Sequence, residues 1–329
     1  MEKKSGWRWG FKRWLVLLFI ILGYFAARWF APVLPNVRLP SEVIGTVFGL
    51  PIYNTFTAML IADVIIIVIA LIVRRATSSG NLVPSGLSGA VEALLEAIYN
   101  LTASTAGRWA RAIFPFFATI TLYVLIVNWM ELIPFVDSVG IIEHAEAANG
   151  HAIQTLAPGI VSLVKGAGNY VLVPYVRVLS TDLNFTVALA LIAVFMTQVI
   201  GIRALGMNYF RKFWNTETLF SKPIFGVIDF GVGILEVVSE FSKILSFSFR
   251  LFGNLFAGTV LLFVIGSLVP VFAQSIFLGL EFFVGLIQAL VFGMLTMVFM
   301  SQATQGHFDE HEAEEPSGEE MPIDEPQMI

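Results

Sequence analysis

The sequence predicts an all-α, polytopic membrane protein, and three observations carry that prediction. Of 329 residues, 57% are hydrophobic and 13% charged, with a mean hydropathy of +0.81, whereas soluble domains carry about 25% charged residues. Several separate apolar runs reach the roughly 20 residues that cross about 30 Å of hydrocarbon. Arg250 stands in the apolar stretch FSKILSFSFRLFGNLFAG (Phe241–Gly258), with Glu240 and Glu281 as the flanking carboxylates. A guanidinium stays charged at physiological pH, and near a bilayer centre it costs about 2.5–3.5 kcal/mol even on mild insertion scales. Such a residue needs a function to keep it there. The chain has no cysteine, which excludes disulfides and thiolate metal sites.

Residues 1–52 comprise a basic segment (Lys3–Arg13), an apolar helix over Trp14–Phe30 and an outer loop. The helix is expected as a retained signal anchor; the alternative is a signal peptide cleaved near Tyr24–Ala27. Residues 53–305 form the membrane body. Its first span, Phe56–Val73, carries Asp63 at mid-length. Leu82–Trp109 is amphipathic, with Glu92 and Glu96 at i,i+4, and is expected along the membrane surface or packed on the bundle. The next span, Ile113–Ile133, has Asn128 and Glu131 near its outer end. Phe135–Thr181 is a long outer connection carrying Asp137, Glu143, His144, Glu146 and His151. Two histidines seven apart without a fixed third ligand read as solvated loop residues, so no metal is expected.

Leu183–Leu205 is a further span, and Pro223–Leu268 follows as an apolar segment that would be about 68 Å long as a helix, more than twice the hydrocarbon thickness. A single tilted or bent helix is expected; two spans joined near Ser246–Ser248 are the alternative. Val271–Met300 completes a helical hairpin with it. After Gln305 the character changes, because nine of the 24 acidic residues fall in His307–Ile329 without a Lys or Arg. Residues 306–329 are therefore expected to be a disordered acidic tail.

With the N-terminus inside, six crossings place thirteen Lys and Arg on the cytoplasmic side against four outside, as the positive-inside rule requires. The tail is then cytoplasmic. All seven Trp fall near predicted span ends, where amphipathic rings favour the interface.

The polar residues inside the spans divide into two groups. Arg250 and Asn254 are i,i+4 neighbours with Ala257 and Gly258 continuing their face, while Glu281, Gly285 and Gln288 make a stripe in the last span. Glu236, Ser239, Glu240, Lys243 and Ser246 line the cytoplasmic half of the long segment. Two half-pathways with a fixed cation between them are expected, because an intramembrane cation placed there blocks a continuous leak.

RLFGN at Arg250–Asn254 is followed by Ala257-Gly258 and preceded by Glu236 and Lys243; Gln288-Ala289 and LTMVF at Leu295–Phe299 come later. With RRATS at Arg74–Ser78, N-x-x-E-L-I-P at Asn128–Pro134 and TDLN at Thr181–Asn184, the chain resembles subunit a of the F-type ATP synthase over about Tyr53–Gln305. The resemblance implies five core helices, including a long tilted hairpin facing a ring of c subunits, with the N-terminal hydrophobic helix as an addition. It implies a multi-pass stator subunit of a cell inner or equivalent energy-transducing membrane, partnered by the c-ring, b-type stator subunits and the rest of the F1Fo complex. The subunit is non-catalytic by itself and needs no cofactor. Arg250 matches the essential ion-coupling arginine. Asn254, Glu281, Gln288, Asn128 and Glu131 match the outer half-channel, and Glu236 and Ser239 the inner one, with H⁺ favoured as the coupling ion.

Two residues depart from the pattern. Thr259 stands where many members have a carboxylate or histidine, which shifts the expected titrating role to Glu281. Glu240 is additional and close to Lys243 at i+3, where it is expected to neutralise it. A stand-alone transporter or cation channel is the rival function, but it predicts inverted repeats or Gly/Pro-broken midplane helices that the sequence does not display.

Overall fold

The computed structural model describes residues 12–29, 40–78, 86–133, 136–144, 150–158, 160–213, 223–269 and 272–305. The basic residues before Lys12 and the acidic tail from residue 306 lie outside the described residues. Among the described residues, seven α-helices carry the fold: α1 (Lys12–Trp29), α2 (Asn54–Ser78), α3 (Leu87–Ala106), α4 (Ala110–Trp129), α5 (Leu183–Leu205), α6 (Pro223–Leu268) and α7 (Phe272–Ala303). Five stretches among the described residues are long and apolar enough to cross a membrane: Asn54–Arg75, Ser88–Leu132, Leu183–Phe210, Phe230–Leu268 and Ala273–Ala303. The chain is an all-α, multi-pass membrane protein. The apolar part of α1, Trp14–Phe25, is shorter, and its side chains from Trp14 to Leu22 are exposed.

A short hairpin, β1 (Val43–Val47) and β2 (Leu50–Tyr53), leads into α2. Its turn residues Phe48 and Gly49 have φ of 52° and 82°, a twist that matches the flanking strands. Asn54 ties the hairpin to the start of α2, since its N–H donates to Glu42 O at 3.0 Å and its Oδ1 accepts from the Glu42 N–H at 3.2 Å.

The long connection between α4 and α5 contains regular structure that the sequence reading did not foresee. β3 (Gly140–His144), β4 (Gly150–Ala157), β5 (Ile160–Gly168) and β6 (Tyr170–Pro174) form an antiparallel sheet ordered β3-β6-β4-β5. Runs such as YVLVP are rich in strand formers, but they are far shorter than the spans that dominate the hydropathy pattern. The expectation that His144 and His151 are loop residues is corrected accordingly. His144 lies on β3 opposite Tyr170, with the two rings 4.6 Å apart, and His151 lies on β4 opposite the same tyrosine.

α3 packs on the bundle, one of the two placements its pattern allowed. Ile98 and Ala106 are buried with Ile113 and Phe117 of α4, Ile200 of α5 and Met297 and Met300 of α7, while Glu92 and Glu96 stay exposed. The Ser301 hydroxyl donates to Thr105 O at 3.0 Å, fastening the end of α7 to α3. TDLN marks the start of α5, where Asp182 Oδ1 accepts from the Asn184 N–H at 2.9 Å and so satisfies one of the helix's orphan donors.

α6 runs unbroken through Ser246–Ser248, so the two-span alternative falls. Its 46 residues make it about 69 Å long. Ser242 and Ser248 return their hydroxyls to the helix's own carbonyls: Ser242 Oγ donates to Val238 O at 2.9 Å and Ser248 Oγ to Ile244 O at 2.8 Å. An apolar surrounding thus meets neither of these two hydroxyls unpaired.

The core lies where α4, α5, α6 and α7 meet, around Val124, Ala190, Ala193, Leu251, Leu255 and Phe292. Phe247 of α6 packs 5.2 Å from the Phe292 ring and 5.6 Å from that of Phe299 on α7. Gly293 sets the approach of α7 to α4, since a Cβ there would collide with Thr121 Oγ1 and the Phe117 ring. Without a water-driven hydrophobic effect between helices, such close approach supplies the packing energy.

Candidate functional site

Arg250 lies on an exposed strip of α6 together with Ser246, Gly253, Asn254 and Ala257, positions that recur at the three- and four-residue spacing of one helical face. Its Nη2 donates to Ser246 Oγ at 3.3 Å. Among the described residues no carboxylate pairs with it. Gly258 does not continue this strip as the sequence reading expected: it is buried, and a Cβ there would collide with the Glu281 carboxylate of α7. The glycine turns the strip's edge into a contact with α7.

The five residues expected on the outer side come together where α4, α6 and α7 converge. Asn254 Nδ2 donates to Gln288 Oε1 at 2.7 Å, bridging α6 to α7 beside Arg250. Asn128 Nδ2 donates to Gly285 O at 3.1 Å and its Oδ1 accepts from Ser180 Oγ at 2.6 Å. Gly285 is what allows this, because a Cβ would press on Asn128 Cβ at 3.2 Å. Glu131 accepts from Thr259 Oγ1 at 2.5 Å and lies within electrostatic reach of Glu281. Glu281 and Gln288 are 6% and 4% exposed. Glu131 Oε2, Glu281 Oε2 and Gln288 Nε2 are buried without a hydrogen-bond partner among the described residues. Buried carboxylate oxygens without a partner are costly within a packed helix bundle.

Asp137 lies just beyond the outer end of this cluster, in a turn where its N–H donates to Val176 O at 3.1 Å. Burial pushes its carboxyl up to about 6, opposed by the Arg177 guanidinium beside it. Arg177 Nη1 donates in turn to Pro40 O at 2.9 Å, tying this turn to backbone from before β1.

The inner residues form a separate group. Glu236 and Glu240 lie one turn apart on α6 with Ser239 between them, half-buried like both glutamates. Glu240 Oε1 accepts from Lys243 Nζ at 2.9 Å, the neutralising i,i+3 pair that the sequence suggested. Lys212, from the 3₁₀ turn Gly206–Lys212 after α5, reaches Glu236 Oε1 at 2.5 Å. Fourteen residues separate Glu236 from Arg250, about 21 Å along the helix.

Sequence reasoning missed three participants. Ser180 and Lys212 come from connections, where no helical period marks them. Thr259 was read as a loss, yet it donates to Glu131. Asp63, which had no assigned role, lies beside the Tyr123 phenol of α4, a contact that the order of spans could not reveal.

Residues 56–301 match the family model described as ATP synthase A chain. The chain is similar to a protein named ATP synthase subunit a from a Nitratiruptor species, 27% identical over 64% of this chain and 73% of that protein. It is 30% identical to the protein of the same name from Campylobacter curvus, over 56% of this chain and 62% of that one. With the namesake from Campylobacter fetus subsp. fetus it shares 29% identity over 60% of this chain and 67% of that one.

Proposed function

The chain belongs to the ATP synthase A chain family, and we propose that it is the ion-translocating stator subunit of an F-type ATP synthase, with two half-channels held against a rotating c-ring. The single observation that carries this reading is the exposed Arg250, paired with no carboxylate among the described residues, on a strip of small and polar residues between the outer cluster and the inner one. A charge left unpaired at membrane depth is stable only if something outside the chain completes it. A ring carboxylate does so, and Gly253 and Ala257 let the ring helix come close.

In this mechanism a proton enters from outside past Asn128, Glu131 and Glu281 and reaches the ring near Gln288 and Asn254. The neutralised ring carboxylate travels through lipid for nearly a turn. On returning to Arg250 from the inner side it gives up its proton toward Ser239 and Glu236. The guanidinium favours the ionised carboxylate and bars direct passage between the half-channels. Each charge crossing 100 mV yields about 2.3 kcal/mol, so the rotor must accumulate several crossings per ATP. The nucleotide chemistry belongs to the soluble head, the b-type subunits brace this chain against rotation, and the C-terminus is cytoplasmic.

The test is ATP-driven proton pumping by the purified complex in vesicles. Arg250→Ala should copurify with a small two-helix proteolipid bearing a mid-membrane carboxylate and yet pump nothing. Normal pumping by this variant would end the proposal.

A further inference from the structure

We propose that Lys212 is a positioning residue of the inner half-channel, holding Glu236 and Glu240 in register from a different element. The inference rests on the proposed function, and an ion network that α6 alone does not contain carries it. Lys212 Nζ lies 2.5 Å from Glu236 Oε1 and 3.6 Å from Glu240 Oε1, while Lys243 Nζ lies 2.9 Å from that same Glu240 oxygen. Two ammonium groups therefore share one oxygen of Glu240, and Glu236 is held across the α5–α6 connection. The four side chains are 12–26% exposed, so solvent screens them only in part.

The turn that delivers Lys212 is clamped on both sides. Toward α5, the Tyr209 ring lies where a Cβ of Gly201 would be, and Tyr209 Oη donates to Gln198 Oε1 at 2.7 Å. Toward α6, a Cβ at Gly233 would meet Phe213 O at 2.5 Å, so glycine admits the backbone of the turn against the helix. The turn is thus fixed to both helices, and the lysine's position follows from it. Among the described residues, the titratable and charged groups facing Lys212 are Tyr209 of its own turn and Glu236 and Glu240 of α6, with Lys243 behind Glu240. α5 presents the Gln198 amide, and α7 presents the Phe299 ring, 4.8 Å from Lys243 Nζ. Glu240 Oε2 is buried without a hydrogen-bond partner among the described residues, an acceptor beside the exit path.

Removing the Lys212 ammonium leaves Glu236 and Glu240 as like charges one turn apart, which repel. Glu236 then no longer stays where an ion descending from Arg250 meets it. An ammonium supplies three donors around one point; a neutral amide keeps polarity but not the attraction that spans both carboxylates.

The experiment uses the whole complex in vesicles, reading passive proton conduction through the membrane sector with F1 removed, as a function of pH on each side. Lys212→Gln should conduct at least about fivefold more slowly and with an altered dependence on inner-side pH, while its outer-side profile stays as in wild type. Lys212→Arg should restore conduction to within about twofold. Wild-type conduction and inner-side profile in Lys212→Gln would overturn the proposal, as would an equal loss in Lys212→Arg. If Lys212→Gln does not assemble, Lys212→Met, which keeps the length of the side chain without its charge, decides: slowed conduction with an altered inner-side profile supports the role, and wild-type conduction and profile overturn it. Arg250→Ala measured alongside separates the two claims, because a silent Lys212→Gln beside a non-pumping Arg250→Ala removes only the role of Lys212.

Discussion

The Thr259 hydroxyl has two acceptors in range, Glu131 Oε1 at 2.5 Å and Leu255 O at 3.0 Å. One hydroxyl carries one proton, so Thr259 serves either its own helix or the carboxylate on the neighbouring one. The side chain that the sequence presented as a missing acid is thus a hydroxyl rotor contacting an acid brought in from the end of α4.

Thr259→Val is expected to lower proton-driven synthesis several-fold while barely changing stability. An interhelical hydrogen bond in a membrane averages about 0.6 kcal/mol, so loss of the pair should shift unfolding in detergent only slightly. Thermal unfolding and synthesis rates, measured on the same preparation, check this; a large stability loss would make the contact structural.

Glu281→Gln keeps size and hydrogen bonding but cannot titrate. Synthesis in vesicles should fall at least about tenfold, equivalent to roughly 1.4 kcal/mol in a limiting barrier, whereas Glu281→Asp should retain more. An unchanged rate and pH profile for Glu281→Gln would mean that protons take another route.

Gly258→Ala puts a methyl group into the Glu281 carboxylate, whereas an added Cβ at Gly279 meets nothing within 4 Å. The first variant should lose most of its coupled synthesis. Gly279→Ala should be neutral or slightly stabilising, since Ala is favoured over Gly within a helix by about 1 kcal/mol. Equal activity in the two would show that the α6–α7 approach at Glu281 is loose.

Asp137 makes the outer turn sensitive to pH. Its folded pKa of about 6 is raised above the ordinary value of 3.8, so the folded turn binds the proton more tightly than the unfolded chain. The associated stability is complete below the ordinary value and is lost as pH rises through about 6, the sign set by proton linkage. Hydrogen-exchange protection of the Asp137 N–H, corrected for intrinsic rate, should decline across that window. Asp137→Asn should abolish the decline, and Arg177→Gln should move it to higher pH, because the guanidinium opposes the shift.

A protease-sensitive tag placed after Ile329 should be cut only in inside-out vesicles, because the proposed orientation puts the C-terminus on the side richer in Lys and Arg. Cutting from the outer face would reverse the assigned orientation.

The sequence by itself determined the five core spans and the presence of Arg250 within one of them, and it set an expectation for their orientation. Each follows from sums along a short stretch of chain: the transfer cost of about 20 residues, the cost of one guanidinium and the charge of a loop. Even the unbroken α6 was legible, because no Gly, Pro or Asn cluster interrupts Ser246–Ser248. Only the tertiary structure decided that Lys212 meets Glu236, that Thr259 meets Glu131, that Gly258 faces Glu281 rather than the Arg250 strip, and that α3 packs on the bundle. The outer sheet belongs with these, since its strands are defined by pairing at a distance and not by a period strong enough to compete with the spans. The physical reason is common to all of them. Contacts between elements depend on how closely helices approach, which single glycines such as Gly201, Gly233 and Gly293 set, and on where connections return the chain; neither is a property of any local window of sequence.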